Sequence, residues 1–420
     1  MTSNLPLVAV LHGEGSASPL TIKAASIGIC RLLFLHEDCS GKERAQLNLL
    51  SGHAAAADRS RLSDGEVIAL LRREGAAGLV TFSELQLPAA TRFGEALGLI
   101  VHSAATLSAL TDKHRQRTLM FRAGVQSVRH AAVDRRNAEA AAGQVGFPAV
   151  LKPRTGAGSK WTGKVTSLKE LQEALEAGPS GCEYVLEEYL AGDPAFQGRF
   201  YGDYVSVESL HRGGESRQVC VTAKLPLTEH FAETGMFVPH PFSRELERRI
   251  LDLEAEAIRA LGVADGVTHT EIKLTAEGPK IIEVNGRLGG YVPEIVKRAM
   301  GADLVRAALQ LSLGQPAELE PEAPEEIVYQ LFLAAPAGES FLFGGMAGIE
   351  EAENMDGVLH LEITKETGQT IDYRLGTQSN MGIVYGAALD YESFSSDIRA
   401  LKSKLAPKAI ATGGRTTDAG

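Results

Sequence analysis

The stretch THTEIKLTAEGPKIIEVNGRLGG, residues 268–290, decides how the chain is interpreted. Two runs, HTEIKL and KIIEVN, alternate polar and apolar residues around the turn-forming segment TAEGP, and they predict a β-hairpin centred near Glu277. Side chains alternate between the two faces of a strand. One face of the hairpin is therefore expected to pack into a core through Ile272, Leu274, Ile282 and Val284.

The other face of the predicted hairpin is polar, and it places Glu271 opposite Glu283. Like charges directly opposite each other destabilise a sheet, and a divalent cation between them removes that repulsion. With Asn285 the two carboxylates form a set of hard oxygen ligands that suits Mg²⁺. Arg287 follows on the same side, where its planar fork can neutralise a phosphate or a developing oxyanion. A solvated amphipathic hairpin, with Arg287 paired to one glutamate, is the alternative.

Length and composition set the class of protein. A chain of 420 residues indicates two to three domains, and 44% hydrophobic with 23% charged residues is typical of soluble globular proteins. No apolar run approaches the roughly 18 residues of a transmembrane helix, and the N-terminus lacks the basic region of a secretory signal. The four cysteines lack metal-ligand spacing, so a reducing cytoplasm is expected. A net charge of −11 argues against a broad nucleic-acid-binding surface.

Residues 5–110 alternate strand-like and helix-like patterns, with apolar runs at 6–11, 27–35 and 78–82 and a weaker one at 99–101. This alternation predicts a small parallel α/β sheet. The first run leads into HGEGS at 12–16, which lacks the third glycine of a dinucleotide loop and the GK[ST] ending of a P-loop. An ordinary strand-to-helix turn is therefore favoured over a phosphate loop there.

Two lysines precede the hairpin in unusual settings. Lys113 lies in the first turn of a helix, where the helix dipole disfavours a cation, and Lys152 lies on an otherwise apolar strand. The glycine-rich loop at 156–163, which contains Lys160, allows backbone amides to approach an anion closely. These features predict a grip on a triphosphate, with a mobile surface hairpin as the alternative.

Two further stretches suggest a pocket. The run YVLEEYL at 184–190 ends in carboxylates, an aromatic and a leucine, and such an edge can offer an adenine both backbone hydrogen bonds and an apolar wall. An acidic strand end exposed to solvent is the alternative. The loop at 228–242 is rich in aromatic and apolar residues, which favours a pocket lining over free exposure to water.

In this order the features resemble the ATP-grasp superfamily over about residues 100–320, and the region 221–290 looks most like its L-amino-acid ligase branch. The resemblance implies a multidomain α/β (α+β) protein with an ATP-grasp fold, a Rossmann-like N-terminal domain and a β-rich C-terminal extension. The expected boundaries are 1–110 for the N-terminal domain, 111–200 for the central and lid subdomain, 201–320 for the catalytic subdomain, 321–405 for the β-rich subdomain and 406–420 for a disordered tail.

The resemblance also implies the residues of the site. Those expected at ATP are Lys113, Lys152, Gly156, Gly158, Ser159, Lys160, Glu187, Glu188, Tyr189, Leu190, Asp203 and Glu208, the last two at the ribose. Those expected at one or two Mg²⁺ ions, with Mn²⁺ as an alternative, are Glu271, Glu283 and Asn285. Those expected at the substrate are Glu233, Gly235, Met236, Arg287, Gly289 and Gly290. The catalytic residues are expected to be Arg287, Lys152 and, as a candidate base for the amine, His269; Glu233 and His230 are other candidates, and a structural histidine is the alternative.

The implied reaction joins the carboxylate of an amino acid to an amino acid or amine through an acyl phosphate, releasing ADP and phosphate. The partners are then small molecules, with neither nucleic acid nor membrane, and a homodimer is expected. A biotin-carboxylase-like enzyme is disfavoured because that family continues with Gln-Val-Glu-His after the arginine, whereas this chain has Leu-Gly-Gly-Tyr at 288–291. A non-catalytic ATP-binding module is disfavoured because the whole set of acidic, amide and arginine residues is retained.

Overall fold

A computed structural model describes residues 4–37, 39–338 and 340–410. The chain begins with β1 Leu7–His12, α1 Pro19–Ala25, β2 Arg31–His36, α2 Gly41–Leu49, β3 Ala55–Asp58, α3 Asp64–Glu74, β4 Ala76–Val80, a 3₁₀ turn Glu84–Gln86, α4 Leu87–Leu97 and α5 Ala104–Thr111. The strands form a parallel sheet in the order β3-β2-β1-β4, which confirms the predicted α/β unit. The weak run at 99–101 forms no strand, and β3 was missed because its sequence, AAAD, lacks β-branched residues.

A second unit is an antiparallel sheet with helices on one side. It comprises α6 Lys113–Arg122, β5 His130–Val133, α7 Ala138–Val145, β6 Ala149–Pro153, β7 Gly163–Val165, α8 Leu168–Ala177 and β8 Tyr184–Glu188. The strand order is β5-β8-β6-β7. Its core is built from the apolar faces of α7 and α8 packed on the sheet.

The rest of the chain forms a third unit, in which eight strands build one large sheet and three others build a small separate sheet. Its first part comprises β9 Tyr204–Arg212, β10 Glu215–Lys224, β11 Gly235–Val238, α9 Arg244–Leu261, β12 Gly266–Thr275, β13 Gly278–Asn285, α10 Val292–Met300 and α11 Leu304–Ser312. The C-terminal part comprises β14 Ile327–Phe332, β15 Phe341–Ala347, α12 Ile349–Glu353, β16 Val358–Ile363, β17 Thr370–Ile371, a 3₁₀ segment Tyr373–Ser379, β18 Gly382–Ala388, α13 Tyr391–Lys404 and β19 Ala406–Ala409. Eight strands pair in the order β13-β12-β9-β10-β11-β14-β18-β16, so the sheet continues across the boundary expected at 320/321.

Two elements lie where the sequence suggested irregular structure. Strand β11 crosses the loop at 228–242 and joins β10 to β14, and β19 pairs with β15. The prediction of a disordered tail from residue 406 is therefore wrong for Ala406–Ala409, while 411–420 lie outside the described residues. Among the described helices none is both long and apolar enough to cross a membrane.

The hairpin predicted within residues 268–290 is β12–β13, and Glu271 pairs with Glu283 in its register as predicted. A bulge follows at once, because Ile272 pairs with Ile281 rather than Ile282. Ile281 is consequently buried in the core beneath the sheet, and the expectation that Ile282 faces that core is wrong. The extra residue turns Ile282 toward the opposite side, where it lines a cleft beside the two glutamates.

Candidate functional site

A cleft of about 320 Å³ lies between the four-stranded antiparallel sheet and the β12–β13 end of the large sheet. It brings together most of the residues that the sequence assigned to a nucleotide and a metal. The predicted residues on its wall are Lys113, Lys152, Gly156, Gly158, Ser159, Lys160, Glu187, Glu188, Tyr189, Leu190, Glu233, Glu271 and Glu283. Arg117, Trp161, Tyr204, Lys273 and Ile282 complete part of the lining and were not predicted.

The acidic side of the cleft holds a buried cation. Lys113 Nζ lies 2.9 Å from Glu283 Oε1 and donates a hydrogen bond to the Gly156 carbonyl at 2.6 Å. Burial alone would lower the pKa of Lys113, but the carboxylates of Glu283 and Glu84 raise it above its ordinary value. The lysine is therefore a charged ammonium that links the hairpin to the glycine-rich loop.

One helical turn from Lys113, at Arg117, lies a buried cluster of two cations around one carboxylate. Glu187 Oε2 lies 2.9 Å from both Lys152 Nζ and Arg117 Nη2. Burial would raise the pKa of Glu187, but the two cations lower it to about 2, while desolvation lowers the pKa of Lys152. Two positive groups around one negative group leave a net cationic site, which suits a phosphate.

Arg117 was missed because α6 has the composition of an exposed helix. It also donates to the carbonyls of Ile281 at 2.5 Å and Ile282 at 2.7 Å. The signal available in the sequence is its spacing of four residues from Lys113, which places both cations on one helix face.

The end of strand β8 is the edge where the adenine contact is expected. Glu187 Oε2 is paired with Lys152 and Arg117, while Glu187 Oε1 is buried without a hydrogen-bond partner among the described residues. The Glu188 carboxylate pairs with Arg129 Nε at 2.7 Å, and the Tyr189 ring lies 4.3 Å from Lys164 Nζ. The Tyr189 amide donates to the Pro148 carbonyl at 3.1 Å. Glu187, Tyr189 and Leu190 all line the cleft, and Glu187 Oε1 is an acceptor there that no described group occupies.

The glycine-rich loop is held shut by the C-terminal part of the chain. The Thr377 amide donates to the Gly158 carbonyl, and the Trp161 amide donates to the Arg374 carbonyl, both at 3.0 Å. Gly376 packs so closely on this loop that a Cβ there would lie 2.1 Å from the Gly158 oxygen. The 3₁₀ segment Tyr373–Ser379 thus covers the loop, a contact that no local pattern could have predicted.

His269 and Glu208 form a buried support behind the hairpin. Glu208 Oε1 and His269 Nδ1 share a short hydrogen bond, and His269 Nε2 lies 3.5 Å from Glu271 Oε1. Burial would lower the pKa of His269, but the two carboxylates raise it to about 9. A cationic, enclosed imidazole does not suit the role of base for an amine, and Glu208 is not available to a ribose. Both residues instead fix the position of Glu271.

Several other predicted residues lie away from the cleft. Gly289 donates its amide to Glu208 Oε2 at 3.3 Å, so that amide does not face a substrate. Met236 is fully buried in the core, and a Cβ on Gly235 would lie 2.4 Å from the Gln330 carbonyl oxygen. The two residues therefore pack β11 against its neighbours and do not face a substrate. Gly290 borders open space.

The remaining predicted ligands are polar side chains that already contact other groups of the protein. Asp203 Oδ1 accepts a hydrogen bond from Lys273 Nζ at 2.5 Å, and it is Lys273 that lines the cleft. Asn285 is buried, with its Nδ2 3.5 Å from the His269 carbonyl. Glu233 accepts from Lys224 Nζ at 2.9 Å and lies on the cleft wall.

Arg287 is held by the N-terminal domain. Its Nε lies 3.2 Å from Glu84 Oε2, and its Nη1 donates to the Leu288 carbonyl at 2.9 Å. Burial and the nearby Glu283 raise the pKa of Glu84, while Arg287 and Lys113 oppose that rise. Glu84 was missed because it lies on the 3₁₀ turn after β4, far from the hairpin in sequence.

With this geometry established, comparison with known proteins gives a consistent result. Residues 145–294 match a family model described as an ATP-grasp domain. The chain is 27% identical over 274 residues to alanine–anticapsin ligase of Bacillus subtilis strain 168, covering 60% of this chain and 58% of that protein. It is 28% identical over 234 residues to carnosine synthase 1 of Gallus gallus, covering 50% of this chain and 24% of that protein. The match thus spans little more than half the length of alanine–anticapsin ligase and about a quarter of the length of carnosine synthase 1.

Solved structures agree over nearly the whole chain. The L-amino acid ligase from Bacillus licheniformis superposes with a TM-score of 0.76 and 20% identity, covering 97% of this chain and 99% of that one. At that identity the likeness shows the fold. The ATP-grasp fold and the similarity to the amino-acid ligase branch, both predicted from the sequence, are therefore confirmed.

Proposed function

We propose that this ATP-grasp protein of the L-amino-acid ligase branch is an ATP-dependent carboxylate–amine ligase. It joins an amino acid to a second amino acid or amine through an acyl phosphate, releasing ADP and phosphate. The observation that supports this most directly is the pairing of Glu271 with Glu283 across the hairpin, in the same cleft as Lys113 and Lys152. Carboxylates for a metal and cations for phosphates are what phosphoryl transfer requires.

The donor set fits a divalent cation, and we propose Mg²⁺. Glu271 and Glu283 present two carboxylates at one register position, and the pKa of Glu271 is lowered to about 2, burial being outweighed by His269, so it is ionised at neutral pH. A nearby ammonium, Lys113, compensates the charge of Glu283. Hard oxygen donors of this kind suit Mg²⁺, with Asn285 as the third ligand. Bound there, Mg²⁺ would neutralise charge on the phosphates of ATP.

Side chains and one loop of the chain are assigned to phosphate binding, exclusion of water, oxyanion stabilisation and proton removal. Lys113 and Lys152, which both line the cleft, hold phosphate oxygens. The loop at 156–163, covered by the segment around Gly376, excludes water from an intermediate that water would hydrolyse. Arg287, fixed by Glu84, offers the remaining guanidinium N–H groups to the oxyanion formed when the amine attacks. The base for the amine is assigned to Glu233, the remaining candidate with a carboxylate on the cleft wall.

The experiment is a two-substrate assay with the full chain. ADP and phosphate release from Mg·ATP are measured against single amino acids and pairs, and products are weighed by mass spectrometry. ADP release that requires two amino compounds, with a product one water lighter than their sum, supports the proposal and identifies the substrates. Turnover with bicarbonate and biotin would instead support a biotin-carboxylase-like enzyme.

A matched pair of variants links that activity to the hairpin. Glu283→Gln removes one proposed metal ligand, whereas Glu277→Gln changes an exposed carboxylate on the turn of the same hairpin. Loss of turnover in the first with retention in the second is expected. ATP binding without turnover in the unaltered protein against every pair would favour a non-catalytic ATP-binding module.

The homodimer, implied by the resemblance, and the cytoplasmic location, expected from the cysteines, remain predictions. Sedimentation of the purified chain tests the first, since a dimer doubles the mass of the 44.7 kDa chain. Fractionation of cells that express the protein tests the second.

A further inference from the structure

A second cluster of ligand-type side chains lies in the N-terminal domain, away from the cleft. His12, Cys39 and Glu43 each offer one possible ligand atom, and the three atoms lie within 4.8 Å of one another. His12 is buried, while Cys39 and Glu43 are half-buried. The cysteines have no metal-ligand spacing in the sequence, and it is the fold that brings one of them to a histidine and a carboxylate.

The position of each side chain follows from its element. His12 is the last residue of β1, at the carboxyl edge of a parallel sheet, where ligands of such sheets commonly bind. Cys39 immediately precedes Ser40, the N-cap of α2, and the N-terminus of a helix favours a thiolate. Strand β2 lies beside β1 in the sheet and ends at His36, which pairs with His12 in the register.

Glu43 is oriented by the capping of α2. Its Oε2 accepts a hydrogen bond from the Ser40 amide at 3.0 Å, and its Oε1 lies 3.0 Å from His12 Nε2. The capping box therefore fixes one oxygen and directs the other to the histidine. An ordinary helix cap uses only the first of these contacts.

We propose that His12, Cys39 and Glu43 form a Zn²⁺ site, independent of the proposed ligase function. Imidazole, thiolate and carboxylate are the three ligand types that zinc takes, and three protein ligands leave a fourth position for water or a small molecule. Tetrahedral bonds of about 2.0–2.3 Å place ligand atoms roughly 3.3–3.8 Å apart. Atoms already within 4.8 Å reach that spacing by small side-chain rotations.

The fourth position has a route to solvent. Glu43 also lines a separate cleft of about 770 Å³, which lies between the N-terminal domain, α10 and the C-terminal part of the large sheet. Lys42, the residue before Glu43, forms an ion pair with Glu362 across that cleft. A metal held by Glu43 would therefore brace the start of α2 where it faces the C-terminal region.

Cobalt is the probe for this site, because Co²⁺ replaces Zn²⁺ and a cobalt–thiolate bond gives a charge-transfer band in the near ultraviolet. The full chain is prepared as Glu271→Gln/Glu283→Gln, so that the hairpin carboxylates do not compete for the ion. One equivalent of Co²⁺ is expected to produce the band, and added Zn²⁺ is expected to displace the Co²⁺ and remove the band.

Three variants in that background assign the ligands. Cys39→Ser is expected to abolish the band, whereas Cys182→Ser, which changes another half-buried cysteine, is expected to leave it unchanged. Glu43→Gln retains the capping box, since glutamine serves at that position, and is expected to weaken Co²⁺ binding at least roughly tenfold. Circular dichroism and the melting temperature without metal confirm that the variants fold.

Two results would overturn the proposal. One is the absence of the band at millimolar Co²⁺ in the folded protein, which would make the cluster a hydrogen-bonded His–Glu pair beside a cysteine. The other is a band that survives Cys39→Ser and disappears in Cys182→Ser, which would place the thiolate at the wall of the other cleft.

Discussion

Glu84 Oε2 lies 3.2 Å from Arg287 Nε, and this contact joins the N-terminal domain to the arginine that follows the hairpin. Both side chains are largely buried, with exposed fractions of 11% and 13%. Because Arg287 has five donors and Glu84 engages one side of the fork, the contact fixes the plane of the guanidinium while leaving other N–H groups for a ligand. The N-terminal domain thus contributes to the site that the hairpin organises.

This relationship predicts unequal effects of two substitutions on turnover. Arg287→Lys is expected to lower kcat by roughly 10²–10³-fold, as for loss of an oxyanion donor, because a point charge cannot reproduce the planar fork. Glu84→Gln removes the charge of the positioning residue and is expected to lower kcat about tenfold, or about 1.4 kcal/mol. Steady-state kinetics should show little change in the KM for ATP in either variant. A Glu84→Gln enzyme with unchanged kcat would show that the contact only supports the domain interface.

The buried cluster around Glu187 predicts that substitutions of two arginines lower the free energy of unfolding by different amounts. Arg117→Met breaks a buried ion pair and two hydrogen bonds to β13, and it is expected to reduce the free energy of unfolding by about 3–5 kcal/mol. Arg129→Met removes an exposed partner of Glu188, for which less than about 1 kcal/mol is expected. Denaturant unfolding of both variants measures the two losses. Equal losses would mean that the Lys152–Glu187 pair alone maintains this wall.

His211 predicts how stability depends on pH. The residue is 1% exposed between the hydroxyls of Ser216 and Thr268, and burial, with a smaller contribution from His102, lowers its pKa from 6.5 to about 4. Between pH 6.5 and 4 the unfolded chain binds a proton that the folded chain does not, so stability falls as the pH falls, by up to about 1.4 kcal/mol per pH unit.

Replacement tests that dependence. His211→Gln is expected to flatten the slope of unfolding free energy against pH in this window, whatever its effect at pH 7. His53→Gln, at an exposed position, is expected to leave the slope unchanged. An unaltered slope in His211→Gln would assign the proton to another group.

Much of the site was accessible from the sequence where the signal was local and periodic. The alternation in the hairpin gave the register of Glu271 and Glu283, and the apolar setting of Lys152 indicated a buried charge. The same alternation failed one residue later, because a bulge shifts the period of two and moves Ile282 to the other face.

Other residues could not be assigned because their role comes from partners far along the chain. Glu208 has the pattern of a strand residue that could reach a ribose, yet the pairing of β9 with β12 places it against His269. Met236 lies in a segment with the composition of a loop, and only its pairing with β14 shows that it is core. The contact of Glu84 with Arg287 and the contact of the segment 373–379 with the glycine-rich loop likewise depend on tertiary packing.

The contact between the 3₁₀ segment 373–379 and the glycine-rich loop predicts different effects for two glycine substitutions. Gly376→Ala adds a Cβ that would lie 2.1 Å from the Gly158 oxygen, and it is expected to open the loop, raise the KM for ATP and uncouple ADP release from product formation. Gly368→Ala introduces the same left-handed strain, with φ of +87° compared with +60°, but meets nothing within 4 Å. The ratio of ADP to condensed product should rise in the first variant alone. A ratio near one in Gly376→Ala would show that closure does not depend on this contact.

Isotope transfer from the substrate carboxylate to phosphate tests whether the proposed reaction passes through an acyl phosphate. A substrate amino acid identified by the two-substrate assay is labelled with ¹⁸O in both carboxylate oxygens and turned over with unlabelled ATP and its amine partner. Mass spectrometry of the released phosphate is expected to show one ¹⁸O per product molecule, because the carboxylate oxygen that attacks the γ-phosphate leaves with it. Phosphate without label, formed together with the condensed product, would exclude an acyl phosphate.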